Sequence, residues 1–250
     1  IPRDKVLAVV EECAEKGVKA LVVISAGFKE ADQKGEELEE KLAQLAREHN
    51  MFLLGPNCLG VINTEHKLNA SFAAQVPGKG HVSFISQSGA VGVYALEYAS
   101  QFRIGFAKFV SLGNKALCGE NDVLDALLED EQTKVILAYL EGFEDARQLF
   151  ELADKLRRQK EPKPLVVLKV GKSKSGQRAA QSHTGALAAS DEVLDHLFTQ
   201  YGLVRVDDLE SLFNVAQVMS SQPLPAGDRL CIITNAGGPG IITADAAEGK

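Results

Sequence analysis

The sequence lacks the signatures of several protein classes. Its four cysteines form no C-x-x-C pair, which argues against a thiolate metal site or a disulfide framework and favours a reducing cytoplasm. No run of about 18 apolar residues predicts a membrane span, and Ile1-Pro2-Arg3-Asp4 leads directly into an amphipathic pattern rather than a signal peptide. The net charge of −7 argues against a nucleic-acid-binding surface. We therefore expect a cytoplasmic protein that binds neither membranes nor nucleic acids.

Length and composition predict one large or two medium globular domains. The chain has 250 residues, of which 45% are hydrophobic and 24% charged. A helix with Pro2 in its first turn opens the chain with no strand before it, and residues 241–250 read as a helix that has barely begun. We therefore expect an internal piece of a longer polypeptide.

Short apolar segments alternate with helical periodicity along the chain. The predicted strands are 20–24, 51–54, 81–85, 106–110, 134–140, 165–169 and 229–234. The predicted helices cover 6–13, 38–45, 90–101, 122–128, 143–160 and 209–219, the last after a possible capping box at Asp207 and Glu210. This alternation predicts a parallel sheet covered on both faces, with ligands bound at the carboxyl ends of its strands.

Two loops without helical or strand periodicity mark candidate domain boundaries. The stretch 63–80 contains Pro77-Gly78-Lys79-Gly80, and the stretch 220–228 contains Pro223, Pro225 and Gly227. The sequence therefore predicts units over 1–76, 77–222 and 223–250.

One histidine, His183, lies among small and hydroxylated residues in Gln181-Ser182-His183-Thr184-Gly185-Ala186-Leu187-Ala188. The segment 171–182 before it carries Lys172, Lys174 and Arg178 and no acidic residue. A local positive field around an accessible imidazole suits a histidine that meets phosphate. A lone histidine is more often an ordinary surface or core residue, so its role depends on further features.

Two strand–turn–helix segments have the composition of anion sites. They are Ile85-Ser86-Gln87-Ser88-Gly89-Ala90-Val91-Gly92 and Ile233-Thr234-Asn235-Ala236-Gly237-Gly238-Pro239-Gly240. Backbone N–H groups and the positive end of a helix dipole attract an anion at such a turn. Each turn alone could be a tight connection with N-capping residues. Together with the basic loop, they indicate a phosphate held between two helix N-termini.

Glu141 directly follows the predicted strand 134–140, at the edge of the sheet where α/β sites lie. Its carboxylate could accept a hydrogen bond from one imidazole nitrogen, which would fix the tautomer and leave the other nitrogen as nucleophile. It could instead cap the helix predicted to start near Phe143, because acidic groups favour helix N-termini.

Two earlier strand-end loops contain glycines that permit close ligand approach, Ile24-Ser25-Ala26-Gly27-Phe28 and Leu54-Gly55-Pro56-Asn57-Cys58-Leu59-Gly60. Either could be turn chemistry alone. The sequence places no base or cation near Cys58, so we do not expect its thiol to be a nucleophile.

Four motifs, taken together and in order, resemble those of the NDP-forming acyl-CoA synthetases. They are Gly55-Pro56-Asn57-Cys58, Ile85-Ser86-Gln87-Ser88-Gly89, Ser182-His183-Thr184-Gly185 and Asn235-Ala236-Gly237-Gly238-Pro239-Gly240. The resemblance covers essentially all 250 residues and is closest to the ADP-forming acetate–CoA ligases, which are related to succinyl-CoA synthetase.

This resemblance implies an α/β fold in three parts. Residues 1–76 would be the C-terminal half of a Rossmann-like CoA-binding domain. Residues 77–222 would be a flavodoxin-like parallel-sheet domain with a phosphohistidine loop, and 223–250 would start a second flavodoxin-like domain.

The resemblance also implies roles for particular residues. His183 would be phosphorylated, in a loop with Ser182, Thr184 and Gly185, and Glu141 would orient it. The implied phosphate-binding residues are Ser86, Gln87, Ser88, Gly89, Asn235, Ala236, Gly237 and Gly238. The residues implied near CoA or the acyl group are Ser25, Gly27, Asn57, Gly113 and Asn114. No metal ligand is implied in this chain.

The implied reaction interconverts acyl-CoA, ADP and phosphate with a carboxylic acid, CoA and ATP, through an acyl phosphate and a phosphohistidine. ATP or ADP and Mg²⁺ would bind to an ATP-grasp domain or subunit outside this chain, and we expect an oligomer. The glycine-rich turn that holds the nucleotide end of CoA also lies outside it, so the chain alone should bind CoA poorly and be inactive.

Two other functions are considered. One is an acyl-CoA-sensing regulatory module of a larger protein such as an acyltransferase, but an inactive copy of the fold would be expected to lose the histidine. The other is a flavodoxin-like binding domain without chemistry, which leaves the paired turns and the basic loop unexplained. The presence of His183 and Glu141 favours the enzyme.

Overall fold

Strands and helices alternate in a computed structural model that describes residues 1–143, 145–173, 175–176, 191–225 and 227–248. The helices are α1 (Arg3–Glu15), α2 (Gln33–Glu48), α3 (Gly89–Gln101), α4 (Glu120–Leu128), α5 (Ala146–Arg158), α6 (Asp191–Tyr201), α7 (Leu209–Ser221) and α8 (Gly237–Glu248). The strands are β1 (Ala20–Val22), β2 (Phe52–Leu54), β3 (Gly60–Asn63), β4 (Leu68–Ser71), β5 (Lys79–Ser86), β6 (Phe106–Ser111), β7 (Val135–Leu140), β8 (Leu165–Lys169) and β9 (Val204–Val206). Within these ranges, no helix has the length and apolar character needed to cross a bilayer.

The first unit is a small parallel sheet packed against two helices. Strands β1 and β2 pair in parallel, with Ala20 opposite Phe52 and Val22 opposite Leu54. The apolar faces of α1 and α2 meet these strands in one buried cluster, which includes Val6, Leu42 and Leu53. The amphipathic spacing of α2 places its leucines on this face and its charged residues in solvent, apart from the buried Glu39.

The second unit is a seven-stranded sheet in the order β4-β3-β6-β5-β7-β8-β9. The five strands from β6 to β9 in this order are parallel, so the predicted α/β fold with a mostly parallel sheet is confirmed. One face buries Phe84 and Phe109 against α3 and α7, and Phe213 of α7 joins this cluster. The other face buries residues such as Ile136 against α4, α5 and α6, with Leu149 contributed by α5. Burial on both faces explains why these strands are continuously apolar.

A β-hairpin occupies part of the loop in which no periodicity was expected. Strand β3 pairs antiparallel with both β4 and β6, and this hairpin forms one edge of the large sheet. Gly60 makes the tight pairing possible, because a Cβ atom there would lie 2.3 Å from the carbonyl oxygen of Ala70. The hairpin of β3 and β4 precedes residue 76 but belongs to the seven-stranded sheet. The predicted domain boundary at about residue 76 stays a prediction.

The strand predicted over 229–234 does not form. Its side chains are exposed, with Leu230 at 64% and Ile233 at 93% of full exposure. An extended apolar segment becomes a strand only when a neighbouring strand supplies hydrogen bonds, and none does so within the described chain. The helix α8 that follows begins where the turn predicts, but it has no buried residue.

Helix α7 begins one residue away from the predicted cap. The carboxylate of Asp208, not of Asp207, accepts a hydrogen bond from the N–H of Ser211 at 2.7 Å. Asp207 instead pairs with Lys172. The identity of the cap depends on which carboxylate finds a better partner in the folded chain.

Candidate functional site

A pocket of about 930 Å³ opens at the carboxyl ends of the parallel strands, where the two units meet. The loops that follow β1, β2, β5, β6 and β7 all contribute to its walls. Seven residues predicted from the sequence line it, namely Asn57, Gln87, Ser88, Gly89, Gly113, Asn114 and Glu141. The position is the one expected for a ligand site in an α/β protein, because the strand ends converge there.

The start of α3 faces this pocket with the features of an anion site. Ser88 is the N-cap, and its Oγ accepts a hydrogen bond from the N–H of Val91 at 3.3 Å. The first intrahelical bond runs from Gly92 to the carbonyl of Ser88 at 3.0 Å, which leaves the N–H groups of Gly89 and Ala90 without an intrahelical acceptor. A Cβ atom on Gly89 would meet no atom within 4 Å. Open space therefore lies directly in front of donors that favour negative charge.

Ser86 shapes this turn from beneath. It is completely buried, and its Oγ donates to the carbonyl oxygen of Ser88 at 2.7 Å and accepts from the N–H of Ser88 at 3.2 Å. The hydroxyl group thus closes the turn and does not line the pocket. A direct contact between Ser86 and phosphate stays a prediction.

The second predicted turn has the same local bonding pattern. Thr234 Oγ1 donates to the carbonyl oxygen of Ala236 at 3.0 Å and accepts from its N–H at 3.1 Å. Asn235, Ala236, Gly237 and Gly238 are exposed and are not among the residues that line the pocket. The shared phosphate site between the two turns therefore stays a prediction.

Glu141 lies half-buried at the end of β7, and Gln87 holds its backbone. Gln87 Oε1 accepts hydrogen bonds from the N–H of Glu141 at 2.6 Å and of Gly142 at 3.0 Å. Helix α5 begins only at Ala146, with Asp145 as its N-cap, so Glu141 is not the cap of that helix. Glu141 therefore lines the pocket and does not cap a helix.

Lys169, which the sequence reading did not single out, holds the same loop from its other side. Its buried Nζ donates to the carbonyl oxygen of Glu141 at 2.9 Å and lies 5.7 Å from the centre of the Phe143 ring. Burial lowers the pKa of Lys169, and the nearby Arg205 lowers it further. The available signal was a lysine at the last position of an otherwise apolar strand.

Two asparagines from different units meet across the pocket wall. Asn57 Nδ2 donates to Asn114 Oδ1 at 3.2 Å. Asn114 Nδ2 in turn donates to Glu30 Oε2 at 2.5 Å and to Glu39 Oε2 at 2.8 Å. Burial opposes ionisation of Glu30, but hydrogen bonds from Asn114 and from the N–H of Gly27 lower its pKa overall.

The sequence did not predict that Glu30 and Glu39 would accept hydrogen bonds from the same asparagine, because these two residues come from separate segments of the chain. Glu39 is on α2 and is nearly buried, and Lys29 lies 3.0 Å from it. Glu30 lies two residues after the loop that ends at Phe28. Charged residues on a polar helix face carry no sequence signal that distinguishes them from ordinary surface charges.

Gly113 connects the units through its backbone. It has φ of +60°, and a Cβ atom there would lie 2.2 Å from the carbonyl oxygen of Pro56. The next residue, Asn114, donates its N–H to the same carbonyl at 2.8 Å, and Ala116 donates to Gly55 at 3.0 Å. Only glycine permits this approach at this φ without strain.

Ser25 and Gly27 lie beside the pocket but do not line it. Ser25 Oγ donates to the carbonyl oxygen of Ile1 at 2.8 Å, and the carbonyl of Gly27 accepts from Arg3 Nη1 at 2.5 Å. Ala26, between them, is the residue of this loop that reaches the pocket. Contacts of Ser25 and Gly27 with CoA stay predictions.

The Cys58 thiol lines the pocket without being activated. It is 2% exposed, and burial raises its pKa to about 11. A thiol with such a pKa carries little thiolate near neutral pH, which agrees with the expectation that it is not a nucleophile. Among the residues that the structure describes, no three His, Cys, Asp or Glu side chains are grouped so as to hold a metal ion.

The histidine loop itself lies outside the described residues, which include none of Ser182, His183, Thr184 and Gly185. Strand β8 ends at Lys169, which contacts the backbone of Glu141, and the sequence continues from there to His183.

Comparisons with known proteins agree with this architecture. The family model described as a succinyl-CoA ligase like flavodoxin domain matches residues 79–219, and a CoA binding domain model matches residues 1–64. The chain is 46% identical over 248 residues to ADP-forming acetate–CoA ligase I of Archaeoglobus fulgidus, covering 99% of this chain and 36% of the relative. It is 42% identical over 245 residues to the alpha subunit of ADP-forming acetate–CoA ligase II of Pyrococcus furiosus, covering 98% of this chain and 52% of the relative.

A solved structure is also very similar. The dinucleotide forming acetyl-coenzyme A synthetase 1 of Ca. Korarchaeum cryptofilum, in complex with phosphate and ADP, matches with a TM-score of 0.92 at 40% identity. The match covers 98% of this chain and 52% of that one. The chain thus spans between about a third and about half of the length of these relatives. A family model that matches 79–219, and relatives similar over nearly the whole chain, show that this chain belongs to the succinyl-CoA ligase-like, NDP-forming acyl-CoA synthetase family.

Proposed function

We propose that this chain supplies the CoA-side pocket and the phosphorylated histidine of an ADP-forming acyl-CoA synthetase. The observation that carries the proposal is the pocket at the strand ends, which brings Asn57, Gly89, Asn114 and Glu141 together. The alpha-subunit relative of Pyrococcus furiosus supports a partner that completes the enzyme. We propose that this partner is an ATP-grasp domain or subunit that binds ADP or ATP with Mg²⁺.

The proposed reaction has three reversible transfers. An oxygen of phosphate attacks the thioester carbon of acyl-CoA, the C–S bond breaks, and CoA leaves as a thiolate that takes up a proton. A nitrogen of His183 then attacks the phosphorus of the acyl phosphate, and the carboxylate leaves. Finally the terminal phosphate oxygen of ADP takes the phosphoryl group and restores the imidazole.

Each part of the pocket suits one of these steps. The N–H groups of Gly89 and Ala90 would hold the phosphate at the start of α3. The amides of Asn57 and Asn114 border the part of the pocket suited to the thioester end of CoA. The carboxylate of Glu141 would hold one imidazole nitrogen so that the other attacks phosphorus. The acid would be a small carboxylic acid.

The alternative of an acyl-CoA-sensing regulatory module is not favoured. Six relatives that match over nearly the whole chain at 41–46% identity are named as CoA ligases, including 4-hydroxybutyrate–CoA ligase of Nitrosopumilus maritimus at 45% identity. This chain also keeps both His183 and Glu141, which chemistry requires and sensing alone does not.

Phosphorylation of His183 tests the proposal. The complete ligase, incubated with Mg-ATP, should gain a phosphate that is labile to acid and stable to base. The variant His183→Ala should lose this label, while His66→Ala should keep it, because His66 is an exposed residue in the β3–β4 hairpin. Label that persists in His183→Ala would contradict the assignment.

A further inference from the structure

The side chain of Gln87 uses all of its hydrogen-bonding groups inside the protein. A primary amide offers two donors and an oxygen that accepts two hydrogen bonds. Besides the two bonds that its Oε1 accepts from Glu141 and Gly142, its Nε2 donates to the carbonyl oxygen of Gly142 at 2.8 Å and to Glu120 Oε2 at 3.4 Å. The side chain is 9% exposed, so it has little access to other partners.

These partners fix which way the amide points. Exchanging its oxygen and nitrogen would bring two amide donors against the N–H groups of Glu141 and Gly142. It would also place the oxygen against the carbonyl of Gly142 and the carboxylate of Glu120. Such an arrangement leaves buried polar groups unsatisfied, which is costly. For Gln87 Nε2 to bind phosphate, it would have to give up its hydrogen bond to the carbonyl oxygen of Gly142 or to Glu120.

Gln87 also belongs to a buried polar connection that crosses the site. Glu120 is 1% exposed at the first position of α4, where the helix dipole favours negative charge. Lys115 Nζ lies 2.8 Å from Glu120 Oε2, and Lys115 lines the pocket beside Gly113. The wall near Gly113 is thus linked to the loop of Glu141 through Lys115, Glu120 and Gln87.

Both backbone polar groups of Glu141 are therefore held from neighbouring strands. Gln87, which follows β5, accepts a hydrogen bond from the N–H of Glu141. Lys169, at the end of β8, donates a hydrogen bond to the carbonyl oxygen of Glu141. Because a side chain follows its own backbone dihedrals, this pair of bonds determines where the carboxylate of Glu141 can point.

We propose that Gln87 is a positioning residue for phosphoryl transfer, which holds the loop of Glu141 against the start of α3 and does not bind phosphate. The inference rests on the proposed function and changes the role that family resemblance gives to Gln87. It predicts that loss of the amide slows transfer to and from His183 and leaves the affinity for phosphate unchanged.

Two variants separate the roles. Gln87→Met keeps the length of the side chain but removes its donors and acceptor, and should slow phosphohistidine formation by about 10²-fold, the effect of a small misplacement of a catalytic group. Its KM for phosphate should stay within about threefold of wild type. Gln87→Glu keeps the two acceptor bonds but places a second buried carboxylate against Glu120, so its rate should also fall below that of wild type. Gln159→Met is the matched control, because Gln159 donates to the carbonyl of Leu128 outside the pocket.

The coupling to Glu141 is measured in the complete ligase by single-turnover formation of phosphohistidine. If Gln87 acts through Glu141, the double variant with Gln87→Met and Glu141→Gln should be no slower than Glu141→Gln alone. Additive losses, or a raised KM for phosphate with an unchanged rate at saturation, would overturn the proposal.

Amide hydrogen exchange gives a readout that does not depend on catalysis. The N–H groups of Glu141 and Gly142 should exchange faster in Gln87→Met than in wild type and in Gln159→Met. Unchanged exchange would overturn the proposed positioning even if transfer is slow. Absence of any phosphohistidine in the wild-type ligase, with faster exchange in Gln87→Met, would instead contradict the proposed function and leave the positioning of the loop supported.

Discussion

The replacement Gly113→Ala should destabilise the protein through its backbone. The φ of +60° costs a residue with a Cβ atom about 1–2 kcal/mol. The added Cβ atom would lie 2.2 Å from the carbonyl oxygen of Pro56 and 2.7 Å from that of Asn57, so the two loops must separate. Separation weakens the bond from the N–H of Asn114 to Pro56, which contributes about 1 kcal/mol.

Strain and the weakened bond together cost about 2–3 kcal/mol, and overpacking of the two loops adds to this loss. For a chain of this length, a loss of about 3 kcal/mol lowers the midpoint of thermal unfolding by about 10 °C. Far-UV circular dichroism during heating measures this midpoint in the purified protein.

Gly89→Ala is the matched control. No positive φ applies at Gly89, and its added Cβ atom would meet nothing within 4 Å, so stability should change by less than about 1 kcal/mol. A Gly113→Ala variant that unfolds at the wild-type temperature would refute the argument from backbone geometry. Equal losses in both variants would show that the effect is not specific to the Gly113 loop.

Four further predictions concern the pocket and one helix end. Gly89→Ala should raise the KM for phosphate by about tenfold or more, because the alanine methyl group fills the space in front of the N–H donors of α3. Steady-state kinetics of the complete ligase would show an unchanged KM if phosphate binds elsewhere. Glu141→Gln should slow phosphohistidine formation by about 10²–10⁴-fold in rapid-quench assays, and a full rate would remove Glu141 from the mechanism. Burial raises the pKa of Cys58 from 9.0 to about 11 in the folded protein. As pH rises, the thiol therefore loses its proton in the unfolded chain first, and the free energy of unfolding should fall by about 3 kcal/mol between about pH 9 and 11. Denaturant titrations should show this loss in wild type and not in Cys58→Ala, and iodoacetamide at pH 8 should modify the exposed Cys231 but not Cys58. Asp208→Ala removes the cap of α7 and should cost about 1 kcal/mol in the same titrations, whereas no change would mean that the bond to Ser211 contributes nothing.

The elements of the parallel sheet could be predicted because their signal is local. A strand buried on both faces needs a continuous apolar run, and residues 165–169 of β8 were predicted with the bounds that the structure has. Helix α3 was predicted within one residue for the same kind of reason, since its small polar turn and N-cap are adjacent in sequence. The strand 229–234 was wrong because an apolar run is necessary but not sufficient when no neighbour pairs with it.

The candidate site was predicted in part. Turn residues such as Gly89 and Asn57 carry a composition signal, and Asn114 was expected only from the family resemblance. All three line one pocket. No such signal marks the charged residues around the pocket, because the sequence does not distinguish a charged residue in solvent from one in a buried pair. These residues are Glu30, Glu39, Lys115, Glu120 and Lys169.

The sequence by itself determined the alternation of strands and helices, the glycine-rich turns and the family motifs around His183. Only the tertiary structure decided that Glu141 is not a helix cap, that β3 and β4 join the larger sheet, and that the amide of Gln87 is occupied by the protein. The physical reason is distance along the chain. Periodicity reports which face of a segment is apolar, but hydrogen bonds such as that from Glu141 to Gln87 join residues 54 positions apart, and only the packed strands bring them together.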